Sequence, residues 1–351
     1  MLASLLSATL VGIDARLVHV EVDVSPGLPT FTVVGLPDTT VRESRDRVRT
    51  AIRNSGFEFP WQHITINLAP SDVRKEGAAY DLPIALGILA ATGALPIREP
   101  DDMLFVGSLS LDGAVRPTGG VLPFAIAAAR SGVAAVMVPA SNAAEASVVS
   151  GLDVWPVSSL VAAAAALTDG TVSQAALEQH PPIAPNFTGP CPDFAEVRGQ
   201  TIARRALEVA AAGGHHVLLT GPPGSGKTMM ARSLAGILPP LSREESLEVT
   251  SIHSVAGLLP PGSGLITTRP FRAPHHTISD IALVGGGTHP RPGELSLAHG
   301  GVLFLDEMPE FERRALEVLR QPLEEGRVRI ARAAASVEFP ARVTLVGAMN
   351  P

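Results

Sequence analysis

In the first half of the chain, residues 18–24 read VHVEVDV, a strict period of two that predicts a strand with one face buried. Phe31–Val34, Ile64–Leu68, Leu104–Leu109 and Ala135–Val138 are further short apolar runs with strand character. Thr39–Asn54 sets Val41, Val48, Ala51 and Ile52 on one helical face and arginines on the other. Asp81–Thr92 is apolar almost throughout, so it reads as a buried helix, and Val121–Ser131 as a helix closed by Gly132. The alanine run Ala162–Ala166 is short and helical in character. Hairpin-like and crossover connections mix, which is an α+β order.

The second half alternates more regularly. A helix is expected over Gln200–Ala212, ended by Gly213 and Gly214, then a strand over Val217–Thr220 and a helix over Lys227–Leu238. Val302–Leu305 and Thr344–Gly347 are buried strands flanking a helix over Glu312–Glu324. This βαβ rhythm predicts a parallel sheet with helices on both faces. Between the halves, Pro181–Pro192 (PPIAPNFTGPCP) holds five prolines in twelve residues. Such a run neither continues a helix nor pairs in a central strand, so it reads as a linker between two domains.

Composition narrows the picture. The most apolar stretch, Leu82–Ile97, is sixteen residues broken by Pro83, Gly87, Thr92, Gly93 and Pro96, short of the ~20 that span a bilayer. No membrane role is expected. One cysteine excludes a disulfide framework and a multi-cysteine zinc site. The first charge is Asp14, so there is no basic leader, and the expected compartment is the cytoplasm. Residues 1–180 hold 11 basic and 18 acidic side chains, and residues 181–351 hold 16 of each. Neither half attracts nucleic acid by net charge alone. Of the 27 cationic residues only Lys75 and Lys227 are lysine, so chemistry that needs an ammonium has two candidates.

One of them stands in a motif. Gly221-Pro222-Pro223-Gly224-Ser225-Gly226-Lys227-Thr228 matches G-x-x-x-x-G-K-[ST], between an apolar strand and a helix. Glycines let successive backbone N–H groups curl around phosphate oxygens, and the helix N-terminus adds its positive dipole end. The nucleotide-contacting set is therefore Gly221 to Thr228 with Met229. Lys227 is the residue for the β and γ phosphates of ATP, and Thr228 a ligand for Mg²⁺. Gly301-Val-Leu-Phe-Leu-Asp306-Glu307 is a buried strand ending in two acids, at the sheet edge where ligands bind. Asp306 is expected in the Mg²⁺ shell and Glu307 to polarise the attacking water. The third strand ends in Asn350, whose amide would sense the γ-phosphate or the water.

Taken together the phrases are specific. Residues 193–200, 204–231, 271–277, 293–311 and 350–351 (DFAEVRGQ, RRALEVAAAGGHHVLLTGPPGSGKTMMA, FRAPHHT, GELSLAHGGVLFLDEMPEF, NP) resemble the magnesium-chelatase-like AAA+ ATPases. Residues 27–60, 67–93 and 107–132 resemble the N-terminal domain of the YifB/ComM branch. The resemblance implies an α/β protein of two parts. Residues 1–180 would be a Lon-protease-like, ribosomal-S-five-like α+β domain. Beyond the linker 181–192, residues 193–351 would be a P-loop AAA+ αβα core with a parallel sheet.

Lon-type proteases use a serine in a K-D-G-P-S-like segment and a lysine in a G-G-L-K-like one. Here those segments read Lys75-Glu76-Gly77-Ala78-Ala79 and Gly119-Gly120-Val121-Leu122, with alanine and leucine at the two reactive positions. A Ser-Lys pair needs both groups, so proteolysis is not expected.

The resemblance also implies a ring, hexameric in the family, that remodels or branch-migrates DNA in recombination or competence. A chelatase ATPase subunit and a non-catalytic nucleotide-binding module are the rival readings. The residues themselves leave the DNA contacts open. Residues 327–342 pattern as a β-hairpin whose Arg327, Arg329, Arg332 and Arg342 suit either phosphates in a ring pore or plain solvent. Arg42, Arg45, Arg49 and Arg53 form a helical stripe, again a solvated face or a contact with DNA or another subunit. The adjacent His275 and His276 suit a loop or interface better than a zinc site. In the ATPases it resembles, an arginine finger, a second sensor and a helical lid follow the position of Pro351. The expectation is therefore a fragment or shortened product that binds ATP weakly and turns it over slowly.

Overall fold

The computed structural model describes residues 1–95, 102–170, 192–287, 290–331 and 336–351. All but Pro192 of the proline-rich linker, and Arg332, lie outside these. Two compact units make up the chain: Met1–Ile183 with Gly257–Gly264, and Ala184–Ala256 with Leu265–Pro351. Among the described residues no helix is long and apolar enough to cross a membrane.

The first unit is built on a seven-stranded mixed sheet. Its strands are β1 (Leu2–Val11), β2 (Asp14–Ser25), β3 (Thr30–Val34), β4 (His63–Ala69), β5 (Met103–Phe105), β6 (Ala135–Pro139) and β7 (Asp153–Val157), in the order β3-β4-β2-β1-β5-β6-β7. β2 runs antiparallel to β1 and β4, and the other pairs are parallel. Alternation sends Val18, Val20, Val22, Phe105 and Met137 to one core and Leu104, Val106, Val136 and Val138 to the other. The first core is covered by α1 (Ser44–Asn54), α2 (Asp81–Ala91) and α4 (Leu160–Asp169), and the second by α3 (Val121–Arg130). α2 lies so close to β2 that a Cβ at Gly87 would meet Val22 at 2.7 Å, which is why a glycine stands inside a helix.

Several elements differ from the pattern-based expectation. The helix expected over Thr39–Asn54 breaks at Glu43 into Thr39–Arg42 and α1. The Arg47 guanidinium takes the Thr40 carbonyl at 3.0 Å, the acceptor a continuous helix would offer to Ser44 N–H. The strand expected over Leu104–Leu109 stops at Phe105, because Gly107 N–H turns to the Ala79 carbonyl (2.9 Å). β1 has no alternation to reveal it, since Leu5 to Thr9 are all buried on a central strand. β7 carries Pro156 and lies at the sheet edge, where a missing N–H is tolerated.

The second unit has a four-stranded, wholly parallel sheet. Its strands are β8 (Val217–Thr220), β9 (Phe271–Arg272), β10 (Val302–Leu305) and, after the hairpin β11 (Arg327–Ala331) and β12 (Ser336–Pro340), β13 (Thr344–Met349). The order is β8-β13-β10-β9. Helices α5 (Thr201–Gly213) and α6 (Lys227–Ile237) enclose a core of Leu207, Leu234, Phe271, Phe304 and Val346 with the sheet. A helix the periodicity does not flag, α7 (Arg243–Val255), starts with a reciprocal Ser242–Glu245 capping box. The helix expected over Glu312–Glu324 is two short ones, Arg313–Glu317 and Arg320–Glu325, because Pro322 has no N–H to give Val318.

Candidate functional site

The parallel register decides where the chemistry collects. β13 is central: Thr220 of β8 stands opposite Met349, and Leu305 of β10 opposite Gly347. The residues that follow these strand ends, Gly221, Asp306 and Asn350, therefore emerge along one sheet edge, at the carboxyl ends of the strands. Pro222, Pro223, Gly224 and Ser225 carry the chain from β8 towards α6. Gly224 (φ 78°) and Gly226 (φ 86°) adopt the left-handed conformation that lets this loop fold back over the helix N-terminus. Met229, on the first turn of α6, is partly exposed beside it.

Lys227 uses its three donors on three oxygens: the carbonyls of Gly221 (2.7 Å) and Pro222 (3.0 Å), and Asn350 Oδ1 (3.0 Å). The Thr228 hydroxyl donates to Asp306 Oδ2 at 2.9 Å, and Asp306 Oδ1 accepts Glu307 N–H at 3.0 Å. Ser225 Oγ is buried in the loop without a hydrogen-bond partner among the described residues. The structure thus brings Lys227, Thr228, Asp306 and Asn350 into direct contact across 123 residues of sequence. Glu307 sits beside them in a left-handed conformation (φ 50°), which is costly for a residue with a side chain.

A residue with no flag in the motif stands next to Glu307. His276 Nδ1 lies 3.5 Å from Glu307 Oε2, and its ring packs on His275 (4.1 Å) and edge-on against Phe311 (6.4 Å). It follows β9, which the bidentate Arg272–Glu294 pair anchors at 2.6 Å for each bond. The signal in the sequence was FRAPHHT itself, whose first two residues form a strand too short to read by period.

Two further histidines are buried. His253 offers Nδ1 to the Val249 carbonyl (2.9 Å), and burial pushes its pKa down to about 4. His299 accepts Arg342 N–H at Nδ1 (3.0 Å), so its proton is on Nε2, facing Glu248 (3.0 Å). Burial outweighs that carboxylate and lowers the His299 pKa. Both keep neutral imidazoles within the core.

The hairpin arginines are engaged by acids. Glu338 takes Arg327 (3.2 Å) and Arg329 (2.7 Å), and Arg342 reaches Glu248 (3.3 Å). In the first unit, Ala79 is nearly buried and Leu122 fully so, its N–H spent on Glu145 Oε1 at 2.9 Å. Lys75 is buried with its ammonium on the Pro70 carbonyl. Neither a hydroxyl at position 79 nor an amine at 122 is present.

Comparison with known proteins agrees with both units. Residues 193–351 match the family described as magnesium chelatase, subunit ChlI, and residues 20–142 the family described as subunit ChlI of Mg-chelatase. The competence protein ComM of Haemophilus influenzae is 47% identical over 351 residues, covering all of this chain and 69% of ComM. The uncharacterized protein YifB of Escherichia coli is 47% identical over 340 residues, 97% of this chain and 66% of YifB. The chain belongs to the YifB/ComM family. Its second unit is a P-loop AAA+ core of that family. Its first is Lon-like: Lon protease 1 of Hydrogenovibrio crunogenus is 27% identical over 164 residues, 43% of this chain and 20% of that protease.

Proposed function

We propose that this YifB/ComM-family chain is an ATP-hydrolysing motor that works on DNA as part of a ring. The observation that carries the nucleotide reading is the convergence of Lys227, Thr228, Asp306 and Asn350 at one edge of the parallel sheet. The residues fit the groups they would hold. Lys227 now saturates its ammonium on three oxygens, a set that phosphate oxygens can replace. The hydroxyl of Thr228 and the carboxylate of Asp306 are hard oxygen donors suited to Mg²⁺, which when bound offsets phosphate charge. Among the described residues the buried Ser225 hydroxyl has no partner, so it is a donor left over for a phosphate at the N-terminus of α6.

In that arrangement Lys227 holds the terminal phosphates, and Glu307 orients the attacking water and draws off its proton. Asn350 gives up Lys227 and turns its amide to the phosphate that leaves. His276, 3.5 Å from the Glu307 carboxylate, is placed to orient it when protonated. DNA as the substrate draws on the kinship with a protein named for competence, and the ring, hexameric as in the family, is part of the same proposal. A reducing cytosol suits a chain with one cysteine.

The test is ATP turnover of the chain with and without Mg²⁺, across single-stranded, duplex and branched DNA. We expect Mg²⁺-dependent turnover that DNA raises and that Lys227→Ala removes. Nucleotide binding that Lys227→Ala leaves intact would overturn the ATP reading. Turnover indifferent to every DNA would overturn the DNA reading and leave the ATPase standing.

A further inference from the structure

A second binding feature lies in the first unit, on the opposite kind of surface. The helix α1, the edge strand β3 and the segment after Phe59 enclose a cavity of about 320 Å³. Thr30, Phe31, Arg45, Arg49, Phe59 and Trp61 line it. Trp61 is 59% exposed, unusual for so large an apolar ring. The Arg49 guanidinium lies 4.4 Å from the Trp61 ring centre and 6.0 Å from that of Phe59. Stacking fixes its plane and leaves its N–H edges free to bind.

Charge is the second observation. Among the described residues Arg49 has no carboxylate within ion-pair distance, and Arg45 has only its neighbour Asp46 at 3.9 Å. Arg42 and Arg53 continue the exposed stripe. Four exposed arginines of the second unit behave differently: Arg313, Arg320, Arg327 and Arg329 each hold a glutamate. Arg47, on the same helix as Arg49, turns inward to Asp81. So α1 presents Arg49 with no acidic partner among the described residues and Arg45 with only a long contact to Asp46, next to an indole that is more than half exposed.

A flat π surface beside the guanidinium groups of Arg45 and Arg49 fits a ligand that is flat, unpaired and flanked by negative charge. We propose that this pocket seats an unpaired base of single-stranded nucleic acid, with Trp61 stacking on the base and Arg45 and Arg49 on the adjoining phosphates. The inference rests on the reading that DNA is what the protein works on. It adds a contact outside the nucleotide-hydrolysing unit. A paired base would not serve, since its faces are taken by its neighbours in the stack.

The chain has two tryptophans, so Trp155→Phe leaves Trp61 as the sole reporter. In that background we expect oligo-dT to quench the emission. In the full chain, Trp61→Ala and the pair Arg45→Glu with Arg49→Glu should each weaken binding of a labelled oligo-dT roughly tenfold. The arginine pair should also flatten the salt dependence of log K by about 1.4, at ~0.7 per phosphate contact. Trp61→Phe should recover most of the affinity, and the melt of the first unit followed by Trp155 emission should be unchanged in all of them, which excludes misfolding. Undiminished oligo-dT binding by these variants overturns the inference while the DNA reading survives. No binding of any single-stranded DNA by the parent chain overturns both. Quenching by an acidic peptide but not by oligo-dT also overturns it.

Discussion

The two lysines of this chain have opposite environments, one in each unit. Lys227 stands at the mouth of a loop over a helix N-terminus, its ammonium held by two carbonyls and an amide oxygen. All three acceptors are neutral, so a phosphate can displace them at little cost. Lys75 is fully buried and its ammonium is tied to the Pro70 carbonyl. Burial pushes its pKa below the usual lysine range. Its backbone is fixed as well, through Leu36 (3.1 Å) and Asp38 (2.9 Å). The contrast teaches that a lysine beside a degenerate protease motif is not a leftover base. It has become part of the packing, while the ATPase lysine is kept where a ligand can reach it.

Exchanging the two roles gives the largest expected effect. Lys227→Ala should lower ATP turnover at least ~100-fold, since it removes charge from the site of the transferring phosphate. Its melting temperature should hardly move, because the half-buried side chain makes its hydrogen bonds at the mouth of an open loop. Lys75→Met should do the reverse. Turnover should stay within twofold, while stability falls by about 1–3 kcal/mol as the Pro70 carbonyl loses its partner. Turnover assays and denaturant melts on the two variants measure both. Loss of turnover in Lys75→Met without loss of stability would break the comparison.

The units should also part company in acid. Unfolded, His253 protonates near 6.5, and folded only at about 4. Its contribution is complete above pH 6.5 and is lost as the pH falls towards 4, because the unfolded state then binds the extra proton. His299 shifts in the same direction. At pH 5 the second unit should be weaker by about 2 kcal/mol from His253 alone. The first unit has no such liability at Asp81, the most deeply buried of its described carboxyls. Burial lifts that pKa against the pull of Arg47, so acid favours its folded state. Both tryptophans lie in the first unit. Melts at pH 5 should therefore show an early circular-dichroism transition that tryptophan emission does not report. His253→Phe should push that transition back.

How much of this was legible follows from the same division. The nucleotide loop and the strand-terminal Asp306 and Asn350 could be read because each motif sits at the end of a short, uniformly apolar strand, a local signal. β2, β4 and β6 were legible through period and composition. β1 was not, because a central strand buried on both faces loses its alternation. β9 was not, because two residues carry no period. The break at Glu43 depends on Arg47 reaching Asp81, 34 residues on, which no helical pattern encodes. His276 beside Glu307 and the neutralised hairpin arginines are likewise tertiary facts.

The smallest effect separates the two sets of arginines, which sequence alone leaves equivalent. Arg327 and Arg329 share Glu338, and that glutamate's pKa is lowered chiefly by Arg327, then by Arg329. A phosphate approaching the hairpin must therefore compete with a carboxylate already in place. The pair is exposed, so losing it costs the fold little. Arg327→Ala with Arg329→Ala should shift the melting temperature by no more than a few degrees. It should weaken oligo-dT binding less than threefold, well under the loss expected from Arg45 and Arg49. Glu338→Gln sharpens the point, because it frees Arg327 and leaves Arg329 only the longer contact to Glu325 (3.7 Å) without removing either. If Glu338 masks them, that variant should bind single-stranded DNA more tightly and with a steeper salt dependence, whereas unchanged affinity would mean that hairpin and DNA do not meet.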